Sequence, residues 1–376
     1  MKDLAFTLNE YRSRLAATQS ELASRELDCG ILDEPEMMGW LSGYTTTENL
    51  WRACVVPVVG EPFLLVRKLD MAPAIERNWF SNVVGFIDWE DPLALLVESL
   101  RANGIKHARI GVDFQSHSFT VARMNALREM LPDSEICDLE RSVWDLRRCK
   151  SAEEIALMRR ASGLVDQVLE RTVAAIGEGV LPRTVAAEAA AQVYKLGFDD
   201  GFIGPITVAT GWDSLHGFLP ERALQKGDIV HIELLPRLRG YSARIMRCAV
   251  VGGASEEQRR ITTELAEIQD RQIDAMRPGA IASHVDAIVR HGVLQAGLRT
   301  TYENITGYTL GLTPITTQRT SDLHRCLTPK AQWRLEEGMI LHAYTSAGGI
   351  ALSETVVVTN KGGERLTQTP RILFER

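Results

Sequence analysis

Residues 143–161, VWDLRRCKSAEEIALMRRA, mark the point at which the character of the chain changes. Ser151 and Glu154 have the spacing of a capping box, in which each side chain bonds the other residue's backbone N–H at the start of a helix. Apolar side chains then recur at helical spacing through Ile155, Met158 and Val165, which predicts a long amphipathic helix. We therefore place a domain boundary here and divide the chain into residues 1–144 and 145–376.

Before this boundary, short helices and strands alternate. The sequence predicts helices over Tyr11–Arg25 and Leu93–Leu100, because their apolar residues have helical spacing. Compact apolar runs predict strands at Cys29–Asp33 and Ala108–Val112. Two further apolar runs flank the turn residues Gly-Glu-Pro within 54–66, which indicates a hairpin. The N-terminal domain is therefore expected to be α/β.

After the boundary, long helical patterns and strand patterns occur in separate groups. Helices are predicted at about 182–196, 256–276 and 283–296. Strands are predicted at 228–234, 242–251, 338–343 and 354–359, with Gly or Pro in their turns. Long helices packed on an antiparallel sheet describe an α+β domain.

Length and composition exclude several classes of protein. The chain has 376 residues, which is typical of two domains. Its 42 basic and 49 acidic residues give a net charge of −7, which argues against binding to nucleic acid or acidic membranes. The six cysteines form no Cys-x-x-Cys pair, and the N-terminus lacks the apolar segment of a signal peptide. We expect a soluble cytoplasmic protein.

Two glutamates within apolar strands are the first candidate functional residues. Glu233 follows Ile229-Val-His-Ile, and Glu354 precedes a run of three valines. Burial of a carboxylate is costly unless it is paired, neutral or functional, whereas an edge-strand position facing water would have no such cost. Two such glutamates in one domain favour a shared site modestly.

Histidine, arginine and tyrosine side chains are the other candidates. His216 lies in a Gly- and Asp-containing loop and could be a general base or simply exposed. His342 and Tyr344 are two residues apart in a predicted strand, so they should share one face, which could be a pocket or an ordinary polar sheet face. Arg244 could bind a carboxylate or pair with Glu233. Tyr308 is expected in a glycine-rich turn over residues 306–314.

In their order and spacing, these segments resemble the pita-bread family of creatinases, prolidases and aminopeptidases P. The resemblance implies a creatinase-type N-terminal α/β domain at 1–144 and an α+β pita-bread catalytic domain at 145–376. The segments that carry it are Arg148–Ile155, Leu224–Glu233, Gly240-Tyr241 with Arg247, Gly307–Leu312, Glu336–Leu341 and Glu354–Thr359.

The metal-ligand positions of this family are altered in the chain. Metallopeptidases of the family bind two metals through two Asp, one His and two Glu. By resemblance, the corresponding residues are Glu233, Arg244, Tyr308, Tyr344 and Ser353. A guanidinium would repel a cation, and divalent metals need several O or N donors. We therefore expect neither a metal nor another cofactor.

The loss of metal ligands resembles the metal-independent branch that includes creatinase and ectoine hydrolase. It implies hydrolysis of a C–N bond in a small, non-peptidic zwitterion, amidine or cyclic amide. Glu233 would attack the substrate or position water, with His216, or alternatively His342, transferring the proton. Glu354 would hold a cationic nitrogen or orient a histidine, and Arg244 would bind a carboxylate.

The resemblance also implies further binding residues and alternatives. Tyr308 and Tyr344 would shape the pocket. Trp51 and Arg67 would come from the neighbouring subunit, because the family usually forms homodimers. One alternative is an Xaa-Pro peptidase that requires metal despite the missing ligands. Another is a catalytically inactive pita-bread domain that binds peptides.

Overall fold

The computed structural model describes residues 2–45, 50–317 and 325–376, and these form two compact units. The N-terminal unit contains the described residues up to Arg148 and a segment that starts at Leu312. The C-terminal unit contains Cys149–Gly311 and residues 325–376. Among the described residues, no helix is both long enough and apolar enough to cross a membrane.

The N-terminal unit is an α/β domain with a six-stranded sheet in the order β4-β3-β2-β1-β5-β6. Its helices are α1 (Leu8–Ser24), α2 (Pro35–Ser42), α3 (Met71–Arg77), α4 (Pro92–Ala102), α5 (Val121–Met130) and α6 (Ser142–Asp145). Its strands are β1 (Cys29–Leu32), β2 (Ala53–Pro57), β3 (Phe63–Arg67), β4 (Asn82–Phe86), β5 (Arg109–Val112) and β6 (Glu135–Asp138). β2 and β3 form the predicted antiparallel hairpin, while β1–β5, β3–β4 and β5–β6 are parallel.

The C-terminal unit combines four helices with a large, mainly antiparallel sheet, as the sequence predicted. The helices are α7 (Ala152–Ala174), α8 (Pro182–Lys195), α9 (Glu256–Asp274) and α10 (Ala282–Gln295). The strands are β7 (Ile206–Val208), β8 (Ile229–Leu234), β9 (Arg237–Leu238), β10 (Tyr241–Ser242), β11 (Ile245–Val250), β12 (Gly307–Thr309), β13 (Cys326–Leu327), β14 (Ile340–Ala347), β15 (Ile350–Thr359), β16 (Gly362–Arg365) and β17 (Leu373–Glu375). The central order is β13-β12-β14-β15-β11-β8-β7.

All four helices cover the same face of this sheet. Ile232 and Ile245 pack with Val165 of α7, and Leu341 packs with Ile273 of α9. Because side chains alternate along a strand, the residues between these apolar ones point to the opposite face. We call the covered side the helix face and the opposite side the site face.

Local sequence explains where the long helices begin. Ser151 and Glu154 form the predicted capping box at the start of α7, and Ser255 with Gln258 forms another at the start of α9. One local prediction was wrong, because residues 307–309 of the expected glycine-rich turn form strand β12. Tyr308 pairs there with His342 of β14, so pairing between strands overrides the local turn signal.

Candidate active site

The site face carries two adjacent rows of side chains across the central strands. In the first row, Glu233 is paired with Met246, and Ser353 lies between Met246 and Tyr344. In the second row, Tyr308, His342 and Thr355 are successive partners on β12, β14 and β15. Directly paired residues of antiparallel strands point to the same side of a sheet. Strand register therefore brings together residues that are more than 100 positions apart in sequence.

Arg244 joins the two rows at the start of β11. Its backbone N–H donates to Thr355 Oγ1 at 2.8 Å, and the same hydroxyl donates to Arg244 O at 2.9 Å. Its guanidinium Nη1 donates to Glu233 Oε1 at 3.2 Å and to the Tyr308 hydroxyl at 2.7 Å. Arg244 and Glu233 are both buried, so their opposite charges are balanced within the protein.

Two glycines allow the backbone to approach these rows closely. Gly307 is packed so tightly in β12 that an added β-carbon would lie 2.7 Å from His342 O. Gly204 has a φ of +109°, and a β-carbon there would collide with the carbonyl oxygen of Glu233. Larger residues at either position would therefore displace the strand that carries a candidate site residue.

His342 is a fully buried imidazole between two tyrosine rings. Its ring stacks on Tyr344 at 5.3 Å between centroids and meets the edge of Tyr308 at 5.0 Å. Burial, followed by the nearby charge of Arg244, lowers the pKa of His342 well below its ordinary value, so the ring is neutral near pH 7. Within the described part of the chain, neither ring nitrogen has a hydrogen-bond partner. The predicted common face of His342 and Tyr344 is confirmed.

His216 lies at the exposed edge of the site. Its side chain is 82% exposed, and its Nε2 atom is 3.9 Å from Glu233 Oε2, which is too long for a direct hydrogen bond. Its loop is held by Trp212, whose ring packs 4.3 Å from the Arg299 guanidinium. Arg299 also packs 4.1 Å from the Tyr302 ring, so the cation lies against two aromatic rings.

His231 is a site-face residue that our sequence interpretation missed. It lies two residues before Glu233 on β8, so strand alternation alone would have placed the two on one face. Burial, together with His216, lowers its pKa to about 3. Its Nδ1 atom is 3.8 Å from Cys248 Sγ.

The structure corrects the expectation that Glu354 shares a site with Glu233. Glu354 is one residue beyond Ser353, so it points to the helix face, where it is paired with Ala343. Arg247 Nη2 donates to Glu354 Oε1 at 2.7 Å, and the Thr367 hydroxyl donates to Oε2. This carboxylate is fully buried and satisfied by structural partners, so its charge is explained without a substrate.

The two candidates of the N-terminal unit have partners within that unit. Trp51 is buried in its core, and its indole N–H donates to Asp33 Oδ2 at 2.8 Å. Arg67 forms a two-point ion pair with Asp88 at 2.7 and 2.6 Å. Their contribution to a neighbouring subunit remains a prediction.

The side chains on the site face do not fit a divalent metal. Glu233 is the one carboxylate among the five positions that resemble the family's ligand set, and it is bonded to a guanidinium. Across residues 2–45, 50–317 and 325–376, no group of three or more His, Cys, Asp or Glu side chains is arranged to hold a metal ion. Hard and borderline divalent cations need several such donors. The cluster is suited instead to hydrogen bonding and charge stabilisation by fixed side chains.

Comparison with known families shows two matches that together span most of the chain. Residues 156–360 match the Metallopeptidase family M24 profile. Residues 14–149 match the Creatinase/Prolidase N-terminal domain profile.

Individual relatives include an ectoine hydrolase and an Xaa-Pro dipeptidase. An ectoine hydrolase from Halomonas elongata is 25% identical over 407 aligned residues, covering 99% of this chain and 98% of that protein. An Xaa-Pro dipeptidase from Pyrococcus furiosus is 30% identical over 164 residues, covering 42% of this chain and 45% of that protein.

Solved structures share the fold at low sequence identity. A prolidase from Pyrococcus horikoshii OT3 has a TM-score of 0.80 at 20% identity and covers 96% of this chain and 99% of its own. A prolidase from Thermococcus sibiricus has a TM-score of 0.83 at 21% identity, with coverage of 97% and 99%. The pita-bread architecture expected from the sequence is thereby confirmed.

Proposed function

The chain belongs to Metallopeptidase family M24, and we propose that within this family it is a metal-independent hydrolase. Its substrate is a small zwitterion, amidine or cyclic amide, and the bond cleaved is a non-peptidic C–N bond. The relative named ectoine hydrolase, similar over nearly the whole chain, supports this choice of substrate class.

One observation carries the proposal: a guanidinium stands among the family's metal-ligand positions. Arg244 bonds both Glu233 and Tyr308, so it holds two of the five positions in a network that has no need of a cation. A fixed positive charge can stabilise negative charge that develops on the substrate during attack. Arg244 thereby supplies electrostatic stabilisation through a side chain of the protein itself.

Glu233 and His216 divide the acid–base work in this proposal. In one route Glu233 positions a water molecule that attacks the electrophilic carbon; in the other Glu233 attacks the carbon, the C–N bond breaks, and water then cleaves the covalent bond to Glu233. In both routes His216 gives a proton to the leaving nitrogen and takes one from the attacking water. Glu233 Oε2 and His216 Nε2 are 3.9 Å apart, so a water molecule bound by one of them is within reach of the other. Glu354 has no part in these steps.

An Xaa-Pro dipeptidase is the rival function. It is favoured by the Pyrococcus furiosus relative, which is an Xaa-Pro dipeptidase. That activity would require a bound metal. Arg244 and two tyrosines, however, stand at three of the positions that resemble the family's metal ligands. The two functions therefore make opposite predictions about chelators.

The test is a turnover assay on purified, chelator-treated protein. Ectoine, creatine and an Xaa-Pro dipeptide are each supplied with and without Mn²⁺, and Glu233→Gln is the matched inactive control. We expect hydrolysis of a non-peptidic substrate that is insensitive to chelator and lost in the variant. Dipeptide cleavage that appears only with metal would overturn the proposal, and turnover of no substrate would favour a binding module.

A further inference from the structure

The centre of the site face contains buried polar atoms without partners. Both ring nitrogens of His342 and the hydroxyl of Ser353 are inaccessible to solvent and lack hydrogen bonds in the described structure. Both residues have no exposed surface. An unsatisfied buried polar group destabilises the fold, so such groups are rare unless a ligand or water completes them.

These atoms lie in one place rather than being scattered. Ser353 is the strand partner of Tyr344, and Tyr344 stacks on the ring of His342. Beside them, the Thr355 hydroxyl and the Arg244 backbone bond each other in the same rows. Within the described residues, the polar atoms of His342 and Ser353 therefore form a local cluster with unused hydrogen-bonding capacity.

Among the described residues, the charges next to this cluster are paired. Glu233 and Arg244 neutralise each other, and His342 is a neutral ring. Arg290, which interacts with Tyr344, is paired with Asp286. A ligand with a net charge would enter this buried region without a counter-charge, which is costly.

We propose that His342 and Ser353 form a recognition subsite for the amide- or amidine-type group of a ligand whose net charge is zero. This inference rests on the proposed function and specifies its substrate class. Neutral imidazole offers one donor and one acceptor, and serine offers both from one hydroxyl. Together they match a neighbouring N–H and C=O, or the two nitrogens of an amidine, while Arg244 binds the carboxylate of a zwitterion.

Thermal-shift and calorimetric binding measurements on the full chain test the subsite. Ectoine and creatine are the net-uncharged probes, methylguanidine is the cationic probe and N-acetylglycine is the anionic probe. We expect at least one net-uncharged probe to raise the melting temperature, and neither charged probe to do so. Stabilisation by a charged probe alone, or by none of the four, would overturn the inference.

Two variants assign the effect to the named atoms. Ser353→Ala and His342→Phe should each weaken binding of the net-uncharged probe by about tenfold, because each removes a buried hydrogen bond. Both should raise the melting temperature of the free protein, since they remove unsatisfied polar atoms and His342→Phe keeps a ring between the tyrosines. A purely structural role would not give weaker binding together with higher stability.

Thr345→Val is the matched control. Its hydroxyl is also buried and unpartnered within the described residues, but it lies on the helix face. We expect it to leave probe binding unchanged. The subsite would be refuted if the control lost binding equally, or if both site variants bound the probe as well as the wild type. If the wild type still showed turnover in either case, the proposed function would stand. If the wild type showed no chelator-resistant turnover but gave the expected binding pattern, only the proposed function would be refuted.

Discussion

The sheet of the C-terminal unit buries two glutamate–arginine pairs, one on each face. On the helix face, the five N–H groups of Arg247 donate to Glu354 and to the backbone oxygens of Met246, Ser353, Thr369 and Pro370. On the site face, the Arg244–Glu233 pair lies beside a neutral histidine and a serine whose polar atoms have no partners among the residues that the structure describes. The first pair is complete within the fold, whereas the second leaves hydrogen-bonding capacity for a ligand. A buried charge pair alone therefore does not identify a site, and the unpartnered atoms beside the Arg244–Glu233 pair are the second observation that supports one.

The largest expected effect separates the two glutamates by activity. Glu233→Gln should lower kcat by about 10²–10⁴-fold, because it removes the attacking or water-positioning carboxylate. The fold should survive, since glutamine retains the size and a hydrogen-bond acceptor for Arg244. Steady-state kinetics on the chelator-treated enzyme measure the loss. A wild-type kcat in Glu233→Gln would contradict the assignment of the active site to the site face.

The second prediction separates the two arginines by stability. Arg247→Ala leaves the Glu354 carboxylate without its closest counter-charge in a fully buried position, and should cost about 3–5 kcal/mol in the free energy of unfolding. Urea denaturation measures the change. Glu354→Gln serves as the partner variant, and the double variant should cost less than the sum of the two. Additive costs would mean that the pair is not coupled as the structure indicates.

Sequence alone predicted the local elements of the fold. The capping box at Ser151, the amphipathic helices and the alternation of His342 and Tyr344 are local patterns, and they predicted their elements because each depends on neighbouring residues. Which face Glu354 occupies depends on register between β8, β11 and β15, which are separated by long stretches of chain. A register shift of one residue moves a side chain to the other face of the sheet. Whether Glu233 and Glu354 share a face could therefore not be decided without knowing which strand residues are paired.

Tyr308 and His231 show two different limits of prediction. The glycines around Tyr308 favoured a turn, but Gly307 is there to let β12 approach β14, and this distant partner is not visible locally. His231 could have been predicted, because it is two residues from Glu233 and shares its face. The fold and the identity of most site-face residues followed from sequence, while their partners required the structure.

The third prediction uses pH to probe the site-face histidines. The pKa of His231 is lowered to about 3 and that of His342 well below its ordinary value, so both rings bind protons more readily in the unfolded chain. Their contribution to stability is fully present above about pH 6.5 and falls by about 1.4 kcal/mol per pH unit for each ring below it, down to the folded pKa. Urea unfolding between pH 7 and pH 4.5 measures this slope. In His342→Phe the slope of unfolding free energy against pH should be smaller by the contribution of one ring. An unchanged slope would contradict the buried neutral state of His342.

The smallest expected effect concerns the exposed edge of the site face. Arg299→Lys keeps the charge but loses the flat stack between Trp212 and Tyr302, which is worth about 0.5–2 kcal/mol. We expect increased exposure of Trp212 in fluorescence quenching and a modest fall in kcat, because the His216 loop is held less firmly. Unaltered quenching would show that the loop is fixed by other contacts.

The most direct measurement of the central claim is a calorimetric titration of chelator-treated protein with Mn²⁺. Because Arg244, Tyr308, Tyr344 and Ser353 occupy four of the five positions that resemble metal ligands, we expect no stoichiometric binding, and the same flat titration for Glu233→Gln. Binding of one or two Mn²⁺ per chain that disappears in Glu233→Gln would contradict the claim that side chains alone form this active site.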